Sequence, residues 1–249
     1  MLTGFIPTLS INYKNHRQIF VESLTDVSYY QSIYSSISSN EKLNHKLYFI
    51  SNNNRGKTNC DWVKQIVGQL RASGNNTCSG IIDWDKKNVS NNDIIVHGEK
   101  FFYSVENVIL DPVYLIAYFL KKNGAHNVYS ELGFQDTYNQ YNIGSEDNEK
   151  LQQIWDWVID KLVKRFPHLG TDNEKITLSY YNGKVVNIPK WYLELQGHEL
   201  GEKLKVVFPA LSKYQNEGEL QEHLSKIIAK CFPLIPQHTV NVLKKVSNE

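Results

Sequence analysis

Four short apolar runs, each closed by polar residues, constrain this chain more than any other feature of its sequence. In "RQIFVES" (residues 17–23), Ile19, Phe20 and Val21 lead straight into Glu22. Thr25 and Asp26 then offer N-cap chemistry to "DVSYYQSIYSSI", where Val27, Tyr30, Ile33, Tyr34 and Ile37 recur at helical spacing. "HKLYFIS" is the second run, followed by the polar loop "NNNRGKTN". Trp62, Val63, Ile66, Val67 and Leu70 make a second amphipathic helix, with Gly74 in the turn after it. "SGIIDWD" and "NDIIVHG" are the third and fourth runs. Strands apolar through their middles, alternating with helices, belong to a parallel sheet covered on both faces. Ligands of such sheets bind beyond the carboxyl ends of the strands. The pattern therefore brings Glu22, residues 52–59, Asp83 and Asp85 to one edge.

From about Ser104 the character changes. "SVENVILDPVYLIAYFLKKNG" reads as helix with a break at Pro112, and "EDNEKLQQIWDWVIDKLVKRF" as a strong amphipathic helix. "KITLSYYNGKVVNIP" alternates on either side of Asn182-Gly183, which predicts a hairpin over about residues 176–188. "GELQEHLSKIIAKCF" and "PQHTVNVLKKV" return to helical spacing. The expected organisation is a core over residues 1–110 and a mainly helical subdomain with the hairpin over 111–249, without a flexible linker.

Charge and cysteine content exclude several classes. Lys and Arg number 27 against 26 Asp and Glu, so the bulk footprint of a nucleic-acid binder is absent. A polyanion would have to be met by a local patch or a metal. Cys60, Cys78 and Cys231 are odd in number and scattered, which suggests neither a disulfide framework nor a thiolate zinc site. "MLTGFIPTLS" lacks the basic start and apolar core of a signal peptide. The longest apolar run, "VILDPVYLIAYFL", is broken by Asp111 and Pro112 and is too short to span a bilayer. The expectation is a soluble, cytoplasmic protein with no membrane partner.

The chemistry is concentrated in "GIIDWDKKN". Two carboxylates aimed into one small volume repel, and each raises the pKa of the other unless a cation lies between them. A hard divalent cation such as Mg²⁺ takes oxygen ligands and keeps several waters. A Glu at one strand end and an Asp-x-Asp on the neighbouring strand can supply the protein's share. The strand period of two puts Asp83 and Asp85 on one face, provided that the strand persists that far. Such a metal polarises a phosphoryl oxygen and ionises water, the basis of phosphodiester hydrolysis. The other reading makes Asp83 and Asp85 turn and cap residues. Glu22-x-x-x-Asp26 after the first strand adds weight to the metal.

The order of "IFVESLTDVSYY", a second strand and loop, and "GIIDWD" resembles the TOPRIM domain of topoisomerases, primases and OLD-family nucleases. There a Glu follows the first strand and an Asp-x-Asp the third. The match covers residues 18–98. "FFYSVENVIL" and "ELQGHEL" resemble, more narrowly, small stand-alone TOPRIM-like proteins, and carry the likeness towards residue 205. The resemblance implies an α/β, TOPRIM-like (Rossmann-like), mostly parallel sheet flanked by helices, with a mainly helical C-terminal subdomain. It implies a Mg²⁺-dependent endonuclease, with Mn²⁺ as a substitute, in which Glu22 is general base or metal ligand and Asp83 and Asp85 bind the metal. Asp26 is a further catalytic candidate, or else caps the first helix. Glu106 completes a second metal position or is a helix-surface carboxylate. His198, between Gly197 and Glu199, contacts substrate, orients a loop, or is purely structural.

Some members of that group are toxic effectors of bacterial anti-phage systems of the PARIS type, held in check by an ABC-like ATPase and cleaving tRNA when released. For this chain the resemblance implies RNA, tRNA first, ahead of DNA as substrate. It also implies an ABC-like or OLD-type ATPase partner, and leaves a homodimer open. Ser23 stands where TOPRIM proteins usually carry Gly, which puts the backbone after Glu22 in question. The alternative is a non-catalytic, TOPRIM-derived binding or sensor subunit of an ATPase-containing defence complex.

Other signals are weaker. "RGKT" (residues 55–58) would be a P-loop end only if Gly stood at Ser51. Arg55 and Lys57 are candidate phosphate-holding residues, or plain loop charges. Trp155, Trp157, Tyr180, Tyr181, Trp191 and Tyr192 could stack on bases, but helical and strand spacing favours packing. Lys226, Lys230, Lys244 and Lys245 read as a solvated basic face.

Overall fold

The computed structural model describes residues 15–52, 59–121, 127–214 and 217–248. Arg55 and Lys57 lie outside the described residues. Strands β1 (His16–Phe20), β2 (Lys46–Ile50), β3 (Cys78–Asp83) and β4 (Ile94–His97) form a sheet in the order β2-β1-β3-β4. Every neighbouring pair is parallel, with Ile19 beside Phe49 and Asp83 beside His97. Helix α1 (Leu24–Ile37) follows β1, and α2 (Cys60–Ala72) follows β2.

The strand period of two divides the apolar runs between two faces. Ile19, Val21, Leu47, Phe49, Ile81 and Ile95 pack with Tyr30, Ile33 and Ile37 of α1. Phe20, Ile82, Ile94 and Val96 pack with Val63, Ile66, Val67 and Leu70 of α2. Both faces are covered, which explains why these strands are apolar throughout. Gly80 sits where a Cβ would stand 2.6 Å from side-chain carbons of Val63 and Ile94, so only glycine lets α2 approach β3 this closely.

The start of α1 differs from the sequence expectation. Ser23, not Thr25 or Asp26, is the N-cap: its hydroxyl accepts from Asp26 N at 3.1 Å, and the Asp26 carboxylate accepts from Ser23 N at 2.9 Å. This is a capping box, with each residue satisfying an amide of the other. Ser23 is extended (φ −142°), so the backbone after Glu22 needs no glycine.

The C-terminal half contains α3 (Val105–Ile109), α4 (Pro112–Lys121), α5 (Val128–Glu131), α6 (Asn148–Arg165), the antiparallel hairpin β5 (Lys175–Ser179) and β6 (Val185–Pro189), α7 (Lys190–Glu194), α8 (Gly197–Val207), α9 (Glu217–Ile228) and α10 (Gln237–Asn248). The break at Pro112 and the hairpin fall where the sequence places them. Residues 112–120 of α4 are buried on all sides, as a helix apolar all round must be. Helix α9 lies against α1 and α4, and α10 against β4 and α1. One apolar cluster consequently runs from Ile19 through α4 to Val246, across residue 110.

The C-terminal aromatics pack. Trp155 is buried and its Nε1 donates to Tyr180 Oη at 3.0 Å, while Tyr180 Oη donates to Asp111 Oδ2 at 2.8 Å. Trp157 Nε1 donates to Glu131 Oε2 at 2.9 Å. Lys226 pairs with Glu222 and Lys244 with Glu41. No helix among the described residues is long and apolar enough to cross a membrane.

Candidate functional site

Glu22 stands just past β1, after Val21 N has made a last bond to Ile50 O at 2.9 Å. Asp83 is the final residue of β3. The two strands pair directly, which brings these carboxylates to one point on the carboxyl edge of the sheet. Asp83 N donates to Glu22 Oε1 at 2.9 Å, and Val105 N donates to Asp83 Oδ1 at 2.9 Å. Each of Glu22, Asp26 and Asp83 thus spends one carboxylate oxygen on a backbone amide.

Asp85 reaches the edge differently from the sequence expectation. The strand ends at Asp83, so alternation along a strand does not place Asp85. Its amide donates to Tyr103 O at 2.9 Å, and the chain closes a turn through Lys87 N and Asn88 N onto Trp84 O. Asp85 (φ +49°) and Lys86 (φ +56°) are both left-handed. Consecutive left-handed residues with side chains cost about 1 kcal/mol each, a local strain of the kind that collects at functional sites. The Asp85 carboxylate lies 3.8 Å from Lys87 Nζ.

Glu106, in α3, completes the group. Its charge raises the pKa of Glu22, Asp26 and Asp83. Burial pushes Glu22 up to about 6, helped by Asp85 and Glu106 and opposed by the Asp83 amide and the Lys64 charge. Burial and the charges of Glu106 and Glu22 push Asp26 up to about 8. Asp83 is driven well above the carboxylate range by burial, then by Glu106, Asp26 and Glu22. Glu22, Asp26 and Asp83 therefore resist ionising in a small region that they share with Asp85 and Glu106.

Lys64, Asn88 and Tyr103 contribute without any sequence signal, whereas Asn107 and Gly197 lie in the "VEN" and "GHEL" segments without a role assigned there. Lys64 Nζ donates to Asn88 Oδ1 at 2.8 Å, and Asn88 Nδ2 donates to Asp83 O at 2.8 Å. A cation is thereby anchored beside Glu22 through a buried amide. Tyr103, half-buried, has its phenol held up by burial and by Asp85. Asn107, fully buried, ties α3 to the corner between α7 and α8. At that corner Gly197 meets Glu106: a Cβ on Gly197 would stand 2.4 Å from Glu106 Cβ. The "VEN" and "GHEL" segments, far apart in sequence, are therefore in contact. His198 is exposed in the first turn of α8, one residue from that contact.

The donor set is all oxygen, which suits a hard cation such as Mg²⁺. Among the described residues, no three His, Cys, Asp or Glu side chains close into a group that holds a metal as they stand. A cation that keeps most of its own waters needs no such cage. No protein-family profile matches the chain, and a search of curated proteins finds no match.

Proposed function

We propose that the acidic edge is the active site of a metal-dependent endonuclease whose substrate is RNA, with tRNA the first candidate. In this reading the protein is a toxic effector of bacterial antiviral defence that acts in the cytoplasm with an ABC-like ATPase partner. The observation that carries the chemistry is the gathering of Glu22, Asp26, Asp83, Asp85 and Glu106 beyond the carboxyl ends of a parallel sheet. Packing has no use for repelling carboxylates. RNA, defence and the ATPase come from the motif resemblance alone.

Glu22, Asp83 and Asp85 would hold Mg²⁺, with Glu106 at a further position. The cation supplies charge neutralisation on the scissile phosphate and a more acidic water. Where Glu22 acts as general base rather than as a metal ligand, its carboxyl, which burial pushes up to about 6, would take a proton from the attacking water. Lys64, anchored by Asn88, adds positive charge beside Glu22 for the incoming phosphate. Val105 N fixes Asp83 in place through Oδ1.

The test is cleavage of total tRNA, single-stranded RNA, plasmid and linear DNA by purified protein with Mg²⁺ or Mn²⁺, beside Glu22→Ala. Metal-dependent cutting that disappears in the variant is the expected result. Cutting by the variant at the wild-type rate contradicts the assignment.

A second reading, a binding or sensor subunit without catalysis, is favoured by two observations. Asp26 is accounted for by its capping box, and no three-residue metal group closes among the described residues. Thermal stabilisation by Mg²⁺ that is lost in Asp83→Ala separates cation binding from its absence, since only a ligand that prefers the folded state raises stability.

A further inference from the structure

We propose that Asn107 is a positioning residue: its side-chain amide locks residues 103–107 to the corner between α7 and α8, and through that strap sets where Asp83 and Asp85 stand. The strap holds both aspartates by main-chain bonds. Val105 N donates to Asp83 Oδ1 at 2.9 Å, and Tyr103 O accepts from Asp85 N at 2.9 Å. The same five residues are held by the corner. Tyr103 N donates to Leu193 O at 2.7 Å, and Asn107 Nδ2 donates to Tyr192 O and Leu195 O at 2.9 Å each. Asn107 Oδ1 accepts from Ser104 N at 3.0 Å and from Ser104 Oγ at 3.3 Å.

Capping α3 would need only the Oδ1 acceptor. The two Nδ2 hydrogens instead reach residues 85 and 88 positions away. Among side chains of this size, only asparagine offers an acceptor and two donors in one plane without charge. Aspartate would set an anion against two carbonyl oxygens in a site with no exposure to water. Gly197 keeps the contact tight, because a methyl there would collide with Glu106 Cβ at 2.4 Å and Ser104 Oγ at 2.6 Å. The carboxyl edge of the sheet is therefore set in part by a corner of the C-terminal half. The geometric claim stands by itself; its effect on catalysis rests on the nuclease reading.

Amide hydrogen exchange on Asn107→Ala and Gly197→Ala tests it, beside the wild type. Exchange at Asp85 and Val105 should quicken by about tenfold or more. Val113 N, bonded to Asp111 outside the strap, should keep its rate. With a cleavable substrate in hand, kcat should fall by a similar factor while KM for the nucleic acid holds. A merely structural role would instead quicken Val113 along with the strap, and that result, or unchanged exchange at Asp85 and Val105, overturns the proposal. If Asn107→Ala does not fold, Gly197→Ala decides, since it opens the same contact without unpairing a buried amide. If the wild type cuts nothing, the nuclease reading falls and the exchange result still decides this one.

Discussion

Two regions of the molecule hold carboxyls above their ordinary range, and they do so for different reasons. Asp111, at the head of α4, is pushed up to about 7 by burial, against the pull of Val113 N at 2.7 Å and Tyr180 Oη at 2.8 Å. No neighbouring carboxylate contributes. At the acidic edge, burial is again the largest cause, but Glu106, Glu22, Asp26 and Asp85 add like-charge repulsion. Asp111 is a satisfied polar group whose partners are all in place. The edge is electrically incomplete, and a cation would complete it. One carboxyl holds the fold together, whereas the others are held by it.

The largest effect expected from this contrast is catalytic. Glu22→Gln should lower cleavage about 10³-fold, the scale for loss of a general base, with the thermal midpoint nearly unchanged. Asp111→Asn should leave kcat per folded molecule where it was. Equal loss of kcat in a folded Asp111→Asn protein would erase the distinction.

Stability should divide the other way. Asp111→Ala strands the Tyr180 hydroxyl and the Val113 amide in a dry core, at a cost of about 2–3 kcal/mol read from the urea midpoint. Asp83→Asn in metal-free buffer removes a carboxyl whose ionisation burial and its neighbours disfavour, and should be neutral or slightly stabilising. A large loss there would mean that Asp83 is itself a structural residue.

The pH dependence of metal binding sharpens the same point. A carboxyl whose folded pKa is raised favours the fold while protonated, so its contribution is lost as pH rises. For the metal-free edge that loss runs from pH 4.5 to about 6 for Glu22, and from 3.8 to about 8 for Asp26. Mg²⁺ competes with those protons, so the rise in Tm on adding Mg²⁺ should grow from pH 6 to pH 8. A rise independent of pH would place the cation elsewhere.

The smallest effect concerns His97, buried between Tyr30 Oη at 2.8 Å and Thr239 Oγ1 at 3.0 Å. Burial lowers its pKa from 6.5 to about 3, so stability falls as pH drops through that window. Asp111 has the opposite sign, losing stability as pH rises from 3.8 to about 7. The two slopes oppose each other over most of this range. Asp111→Asn removes one of them and should make acid denaturation visibly steeper than in the wild type.

Much of the scaffold was legible because period and punctuation are local. Ile19 to Val21, the runs ending at Ile50, Asp83 and His97, and the break at Pro112 all fell near their expected places. The capping box is equally local, yet "SLTD" offers Thr25 and Asp26 as caps two and three residues after Ser23, which takes the role. Asp85 stands at the expected edge but by another route, since β3 ends at Asp83 and the Asp85 amide goes to Tyr103 O, a partner that no strand pattern reveals. Lys64, Asn88 and the partners of Asn107 were illegible for the same reason: each acts through a contact made only by the folded chain. The sequence brings Glu22, Asp83 and, through the motif resemblance, Glu106 to one site, but the contact of Gly197 with Glu106 is made only by the folded chain.

The most direct test of the shared cation is calorimetric titration of metal-free protein with Mn²⁺ at pH 7, in buffers of different ionisation enthalpy. Binding that releases roughly a proton or more per cation, and is lost in Asp83→Asn, is the result the account requires. Binding without proton release, or unchanged in Asp83→Asn, would contradict it.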